Sequence, residues 1–240
     1  MGLKFKREKE RFVLLSILYR LAKLNPLSRK KRLKLYLELT WIFDRFAHSE
    51  AMGFYEISKN PVRTNTIKFL SRELKVDYKV LDIGCSKGDL TNLISDQVSK
   101  ISGVDHDENA IESAKLNYGN KNIQFINGDA LEHVKSVSEK YDVIILSHIL
   151  EHIDNPIPFL SSYIPFAKYI YVEVPDYEKS YHNVFRKDIG AVLQYTDDDH
   201  VSEFDREEIE QIFEGLKLEI LRKEFRHGVM RFFLKSSSVF

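Results

Sequence analysis

Short apolar runs alternate with helix-like segments from residue 79 onward. The predicted β-strands in this part of the chain are residues 79–85, 100–105, 122–128, 141–147 and 169–175. The predicted helices that connect them are residues 89–99, 108–119, 129–139 and 155–164. Strands that are apolar at nearly every position, joined by helical crossovers, are typical of a parallel sheet covered on both faces. The pattern therefore predicts a doubly wound, Rossmann-like α/β fold.

The pattern changes after the fifth strand. Residues 176–203 show no regular periodicity, so we expect an irregular segment there. Residues 205–216 have the spacing of a helix, and residues 217–226 and 231–237 are two apolar runs separated by only a few residues. The last two runs are predicted to form an antiparallel hairpin.

Helical periodicity dominates the part of the chain before the sheet. The predicted helices there are residues 10–24, 28–47 and 61–74, and Pro26 and Pro61 separate them. We therefore expect a helical N-terminal extension, residues 1–55, followed by a single α/β domain, residues 56–240.

Composition is that of an ordinary soluble globular protein: 240 residues, 43% hydrophobic and 30% charged. The single cysteine, Cys85, excludes an intramolecular disulfide framework and a cysteine-rich zinc site, which favours a reducing, cytoplasmic location. The apolar run at residues 12–19 is far shorter than the roughly 20 residues that a membrane span needs, and no small-residue cleavage site follows it. We expect neither a membrane span nor a signal peptide.

Charge is distributed unevenly although the net charge is zero. Residues 1–35 contain 12 Lys and Arg against 2 Glu, a balance of +10, and the remainder carries −10. A basic, Leu-rich, amphipathic segment can contact an anionic partner, either lipid head groups or nucleic acid. It can also be a pair of helices that pack on the domain and keep a solvated basic face. Peripheral membrane contact and nucleic-acid binding both stay open, with nucleic acid the less favoured partner.

The first predicted strand ends in the turn "VLDIGCSKGDL", at the position where α/β sheets bind ligands. Gly84 and Gly88 allow close backbone approach, and the next helix offers unpaired N–H groups. The spacing is a poor match to G-x-G-x-x-G because Ser86 replaces a glycine and the third glycine is absent, so a dinucleotide site is disfavoured. Asp105, about 20 residues on, can accept hydrogen bonds from ribose hydroxyls, and Asp129 can accept one from an exocyclic amine.

Four ordered runs, "VLDIGCSKG", "GVDHDENAI", "INGDALEH" and "YDVIILSHILEHIDNP", resemble the class I S-adenosylmethionine-dependent methyltransferases over roughly residues 60–240. The resemblance implies a seven-stranded, mostly parallel sheet with an antiparallel strand in its last hairpin, and S-adenosylmethionine as the cofactor. Many members have glycine where this chain has Ser86. The cofactor-binding residues that the resemblance implies are Asp82, Gly84, Ser86 and Gly88 around the methionine part, Asp105 and the adjacent His106 at the ribose, Asp129 and Ala130 at the adenine, and Leu146 and Ser147 beside the sulfonium.

Three titratable residues, His148, Glu151 and His152, follow the fourth strand within five positions. Methyl transfer is an in-line displacement, so alignment carries much of the catalysis. An oxygen nucleophile with a high pKa also needs a base or a metal, whereas a neutral amine needs neither. We therefore predict His148, His152 and the later His200 as catalytic residues, with His148 nearest the acceptor.

The "LEHI" and "NP" of this segment resemble a broad subgroup of small-molecule and glycan methyltransferases, so we predict no metal. A smaller set, the small-RNA 2′-O-methyltransferases and the ubiquinone-pathway O-methyltransferases, binds a divalent ion through Glu-x-x-Glu-His. Here His148 replaces the first Glu, and His200 has the position of a further histidine in the RNA enzymes. A metal site, and a purely structural role for Glu151 and His152, stay open as alternatives.

Residues 176–203 are where this fold commonly covers the acceptor. Tyr177, Tyr181, Phe185 and Tyr195 offer stacking surface, and the acidic run at residues 197–199 disfavours a polyanion. We therefore expect O-methylation of a sugar, a lipid-linked glycan or another small molecule. The alternatives are a divalent-metal-dependent RNA 2′-O-methyltransferase and a non-catalytic S-adenosylmethionine-binding scaffold. The acceptor atom and the oligomeric state are not predicted.

Overall fold

A seven-stranded sheet is the centre of the computed structural model, which describes residues 13–119, 122–137 and 140–236. Its strands are β1 Lys79–Ile83, β2 Lys100–Asp105, β3 Ile123–Asn127, β4 Tyr141–Ser147, β5 Ala167–Pro175, β6 Leu218–Arg226 and β7 Val229–Ser236. Their order across the sheet is β3-β2-β1-β4-β5-β7-β6. Strands β1 to β5 are parallel, and β7 runs antiparallel to both β5 and β6. The predicted doubly wound sheet with a C-terminal antiparallel hairpin is confirmed.

Helices cover both faces of this sheet. They are α1 Val13–Lys23, α2 Arg29–Phe54, α3 Pro61–Leu70, α4 Asp89–Ser95, α5 Glu108–Asn117, α6 Ala130–Ser136, α7 Pro156–Tyr163, α8 Tyr181–Ile189 and α9 Arg206–Gly215. Successive residues of β4 alternate between the two cores: Ile144 packs with the side of α7 and α9, and Val143 with the side of α3 and α4. This is why the strands read as continuous apolar runs, since both faces of each strand are buried.

Residues 176–203 differ from the expected irregular segment because they contain helix α8. Ser180 caps its first turn by accepting a hydrogen bond from the His182 N–H, and Gly190 ends it in a left-handed conformation with φ +65°. These are the usual residue types at the two ends of a helix. The other predicted elements agree to within a few residues at most ends, although residues 10–12, 138–139 and 237 lie outside the described ranges.

The two N-terminal helices pack very differently. No residue of α1 is buried. Helix α2 packs on α8: Leu37 is buried, its carbonyl accepts a hydrogen bond from Arg186, and the Trp41 indole donates to the Tyr195 carbonyl at 2.6 Å. Helix α2 also continues seven residues beyond its predicted end at residue 47, which brings its last turns to the carboxyl edge of the sheet. The division at residue 55 stays a prediction.

None of the helices in the described ranges is long and apolar enough to cross a membrane.

Candidate active site

The turn after β1 has an unusual backbone. Gly84, Ser86 and Gly88 all have positive φ angles, +68°, +47° and +78°. A side chain at Gly84 would overlap Ile149, which follows β4, so only glycine fits there. The Gly84 and Cys85 N–H groups both donate to the Val104 carbonyl, which fixes the turn against β2. The sequence-predicted turn is therefore a tightly constrained structure at the carboxyl edge of the sheet.

Asp105 ties this turn to the end of β2. One carboxylate oxygen accepts a hydrogen bond from the Ser86 N–H at 2.8 Å, and the other accepts from the Asp107 N–H at 2.9 Å. Each oxygen keeps one lone pair, which is what a pair of ribose hydroxyls requires. The neighbouring His106 side chain is 95% exposed and contacts the same carboxylate at 3.5 Å. The ribose role stays a prediction, but these residues fit it.

Asp82 is a buried carboxyl beside the turn. Only 2% of it is exposed, and the Thr91 hydroxyl donates to it at 2.6 Å. Burial raises the pKa of Asp82 to about 6, although the Thr91 hydrogen bond opposes this shift. Above that pH the site holds a poorly solvated negative charge, which suits the ammonium group of a bound amino acid.

The predicted adenine and sulfonium residues occupy the adjoining strand ends. Asp129 caps α6 by accepting from the Glu132 N–H at 2.8 Å, and Ala130 is buried behind it. The Leu146 side chain is fully buried in the core, so a ligand beside it would meet only its backbone. Ser147 donates to Glu173 at 3.2 Å. The structure brings these residues to one edge, and their contacts with a cofactor stay predictions.

His148 is held between two buried carboxylates. Its Nδ1 lies 2.9 Å from Glu151 and its Nε2 lies 3.2 Å from Glu173, while its backbone has φ +57°. Burial lowers the pKa of His148, but the two carboxylates outweigh it and raise the pKa to about 9. The ring is therefore an imidazolium at neutral pH. A protonated ring with both nitrogens engaged is not a general base, although an acceptor can still contact its exposed edge.

Glu173, in the middle of β5, was not singled out from the sequence. It accepts hydrogen bonds from Tyr171 at 2.6 Å and Thr66 at 2.8 Å, and it lies 2.8 Å from the Arg231 guanidinium. Burial raises its pKa, yet these partners and His148 hold the pKa well below its usual range. The sequence feature that could have indicated Glu173 is a charged residue within each of two apolar strands, Glu173 in "VEVP" and Arg231 in "VMRFF". A charge on a strand buried on both faces requires a partner.

His152 and His200 lie together beside Glu151. Their rings meet edge to face with centroids 5.0 Å apart. His200 Nδ1 lies 3.0 Å from Glu203, and this carboxylate raises the pKa of His200 against the opposing effect of burial. Ligand atoms of Glu151, His152 and His200 all lie within 4.8 Å of one another. The structure therefore groups these three residues, and Glu151 links the group to His148.

A cavity of about 600 Å³ opens onto these residues. Part of its lining is His148, Glu151, His152, Glu173 and His200. Helix α2 contributes Asp44, Arg45, His48 and Met52 to the lining, and α3 contributes Arg63 and Thr66. The sequence motifs gave no indication that α2 forms a wall of the site, because its polar positions look like an ordinary solvated face.

The four aromatic residues expected to cover the acceptor do not line this cavity. Tyr177 and Tyr195 border a separate groove of about 660 Å³ between α7 and α9. Tyr181 and Phe185 are exposed on α8 and contact each other edge to face. From the expected cover segment, only Lys179 and residues between Thr196 and His200 reach the cavity.

Comparison with known proteins decides the family. A family model described as a methyltransferase domain matches residues 55–223, which is more than half of the chain. The chain belongs to this methyltransferase family. The family match confirms the class I S-adenosylmethionine-dependent methyltransferase assignment and, with it, S-adenosylmethionine as the cofactor.

Individual relatives of this methyltransferase are more distant. The ubiquinone biosynthesis O-methyltransferase of Saccharophagus degradans is 30% identical over 99 residues, 40% of this chain and 41% of that protein. The chain therefore matches about two fifths of the length of such curated relatives. Two solved structures share the fold. The plantazolicin methyltransferase BamL has a TM-score of 0.59 at 16% identity, covering 87% of this chain and 97% of that one. Magnesium protoporphyrin IX methyltransferase from Synechocystis PCC 6803 has a TM-score of 0.57 at 19% identity, covering 81% and 94%.

Proposed function

We propose that this methyltransferase O-methylates a small molecule, which we expect to be a sugar, a lipid-linked glycan or a compound of similar size. The observation that carries the proposal is the cavity at the ends of β4 and β5, whose volume of about 600 Å³ is within the range of small-ligand sites. The ubiquinone biosynthesis relatives are named as O-methyltransferases, which supports an oxygen acceptor.

The charges around the cavity favour a small acceptor over RNA. Six carboxylates line it among the described residues, against three Lys and Arg side chains. Its carboxylates are Asp44, Asp89, Glu151, Glu173, Asp197 and Asp199, and its Lys and Arg side chains are Arg45, Arg63 and Lys179. The imidazolium of His148 adds a fourth positive charge, which leaves the carboxylates in the majority. RNA binding depends on neutralising phosphates with Lys and Arg, so an acidic wall opposes it.

His200 is the residue best placed to take the acceptor proton. S-adenosylmethionine supplies an electrophilic methyl group, so the acceptor oxygen forms an O–CH₃ bond as the methyl–sulfur bond breaks, and the hydroxyl proton must leave. Carboxylates contact both ring nitrogens of His148, whereas the Glu203 carboxylate contacts Nδ1 of His200, whose ring lies beside His152. A carboxylate on Nδ1 orients the ring and makes Nε2 a better proton acceptor.

Transfer of labelled methyl groups into fractionated cell extract tests the proposal. We expect label in the small-molecule or lipid fraction and not in RNA. The matched variants are His200→Gln, expected to lower transfer at least about 100-fold, and His182→Gln, a histidine on α8 that does not line the cavity and is expected to leave transfer unchanged. Label confined to RNA would establish the RNA alternative. Binding of S-adenosylhomocysteine without label in any fraction would establish the scaffold alternative.

A divalent ion is a second candidate for activating the acceptor. The observation in its favour is Glu151, which is fully buried and whose Oε2 has no hydrogen-bond partner among the described residues. A buried unpaired carboxylate oxygen is costly unless a cation satisfies it. With His152 and His200 within 4.8 Å, the donors fit a cation that accepts nitrogen and oxygen ligands. Such an ion would lower the pKa of a bound hydroxyl.

Thermal unfolding with and without added metal separates the two routes. If the ion binds, Mg²⁺, Mn²⁺ or Zn²⁺ raises Tm in the parent protein and not in Glu151→Gln or His200→Gln, and EDTA removes the rise. The His182→Gln control keeps the response. An unchanged Tm with every metal, together with methyl transfer that EDTA does not affect, would leave His200 as the base.

A further inference from the structure

Helix α1 presents an apolar surface that nothing in the described structure covers. Its stripe is Leu14, Ile17, Leu18 and Leu21, which are 58%, 49%, 53% and 58% exposed. The spacing of three, one and three residues places them on one side of the helix. Arg20 and Lys23 lie on the other side, at its last turn. A helix with no buried residue and an exposed apolar stripe is expected to bind a partner outside the described structure.

Helix α2 extends this surface with positive charge. Arg29, Lys30 and Lys31 form its exposed first turn, directly after the link from α1. Phe43 and Phe46, further along, are 64% and 62% exposed. The surface thus combines exposed apolar side chains with dense positive charge, since residues 13–35 contain seven Lys and Arg and no Asp or Glu.

We propose that α1 and the first turn of α2 form a docking surface for an anionic lipid bilayer. Charge complementarity selects this partner. A second copy of the chain would bring another seven positive charges from residues 13–35 against the first, so like charges oppose self-association through this face. RNA would satisfy the basic residues but would leave the leucine stripe in water. A bilayer with anionic head groups satisfies both, because apolar side chains enter the interface while Lys and Arg meet the head groups.

Helix α2 connects this surface to the cavity. Its 26 residues span about 39 Å, with Arg29–Lys31 at one end and the cavity-lining Arg45, His48 and Met52 towards the other. Docking at the first turn therefore sets the position of the cavity wall relative to the bilayer. The inference is independent of which atom is methylated, and it predicts that the acceptor is taken from, or close to, a membrane surface.

Co-sedimentation of the full chain with vesicles tests the proposal. We expect at least about tenfold more binding to vesicles of phosphatidylcholine with phosphatidylglycerol than to phosphatidylcholine alone, with a loss at high salt. Lys30→Gln with Lys31→Gln should lower binding about fivefold for each charge removed. Leu14→Gln with Leu18→Gln should lower it at least tenfold, while Leu116→Gln, an 86% exposed leucine on α5, should not change it.

Binding of S-adenosylhomocysteine shows that each variant is folded. Neither this binding nor vesicle binding requires the acceptor, so a failure of the membrane proposal is distinguishable from a failure of the proposed function. Three results would overturn the membrane surface. They are equal binding to neutral and anionic vesicles, anionic-vesicle binding unaffected by the leucine substitutions, and a parent dimer that the leucine substitutions convert to monomer. The last result would assign the stripe to a second copy.

Discussion

Glu173 and Arg231 are register partners on the antiparallel strands β5 and β7, and their charged groups meet at 2.8 Å with both side chains fully buried. The pair joins the parallel part of the sheet to its C-terminal hairpin. Through the other oxygen of Glu173 it also reaches His148, and through Thr66 it reaches α3. A structural ion pair therefore sets the position of a cavity residue.

Breaking this pair should destabilise the protein strongly. Arg231→Met leaves Glu173 as a buried charge with fewer partners, and Glu173→Gln leaves Arg231 with the more distant, partly exposed carboxylate of Glu224 at 3.7 Å. Each single variant should lose about 3–5 kcal/mol of unfolding free energy, because a lone buried charge keeps its desolvation cost. The double variant should lose less than the sum of the two. Urea denaturation of all four proteins measures the cycle.

The exposed pair of Lys223 and Glu210 is the matched control. Its groups lie 2.7 Å apart but are 47% and 31% exposed, so Lys223→Met should cost less than about 1 kcal/mol. Additive losses at Glu173 and Arg231 would contradict the coupling.

The strands and the turn at Gly84 could be predicted from the sequence, whereas the contacts of Glu173 could not. Local periodicity and turn chemistry sufficed for the strands, the turn at Gly84 and the position of Asp105, because these depend on neighbours in sequence. The Glu173 network depends on Thr66 and Arg231, which are 107 and 58 residues away. Spacing along the chain contains no such information, so it could not show that His148 lies between the carboxylates of Glu151 and Glu173.

Helix α8 and the role of α2 in the cavity were also not predicted, for different reasons. Helix α8 is signalled locally by Ser180 and Gly190 as caps, yet its mixed polar composition hid the periodicity. The role of α2 in the cavity wall had no local signal at all, since only the folded chain brings His48 and His148 to the same cavity.

Cofactor affinity should depend on the ionisation of Asp82. Burial raises its pKa to about 6, so the native state keeps this proton to higher pH than the unfolded chain does. The stability that the protonated form contributes is lost as pH rises from the unfolded value of 3.8 through about 6. A cationic ammonium group prefers the ionised form, so affinity should change in the opposite direction. From pH 7 to pH 5, S-adenosylhomocysteine affinity should fall about tenfold, as calorimetry can measure.

Asp82→Asn provides the control for this pH dependence. An asparagine side chain can still accept the Thr91 hydrogen bond, so the fold is kept while the charge is removed. Its affinity should be low and the same at both pH values. An equally steep pH dependence in this variant would assign the effect to another group.

Gly84 should tolerate no side chain. Alanine there needs a left-handed backbone, at a cost of about 1–2 kcal/mol, and its Cβ overlaps Ile149. We expect Gly84→Ala to lower the affinity for S-adenosylhomocysteine at least tenfold, because relief of the overlap must move the turn or the segment after β4. Gly53→Ala is the matched control: it lies within α2 with nothing near its Cβ, and it should gain about 0.5–1 kcal/mol of stability with no change in affinity. Equal affinities in the two variants would contradict a ligand site at this turn.

His148 and His152 should respond differently to the same substitution. His148→Gln removes a cation from between Glu151 and Glu173, so two buried carboxylates lose a charged partner and the unfolding free energy should fall by about 1–3 kcal/mol. His152 contacts the Asp199 carbonyl at 3.3 Å, the exposed Asp199 carboxylate at 3.7 Å and the ring of His200, so His152→Gln should change stability by less than about 0.5 kcal/mol. The order should be reversed for kcat, compared per folded protein. His152→Gln should lose more kcat than His148→Gln, because His152 adjoins His200, the proposed proton acceptor. If His148→Gln instead lowers kcat strongly while its stability is unchanged, His148 itself contacts the acceptor.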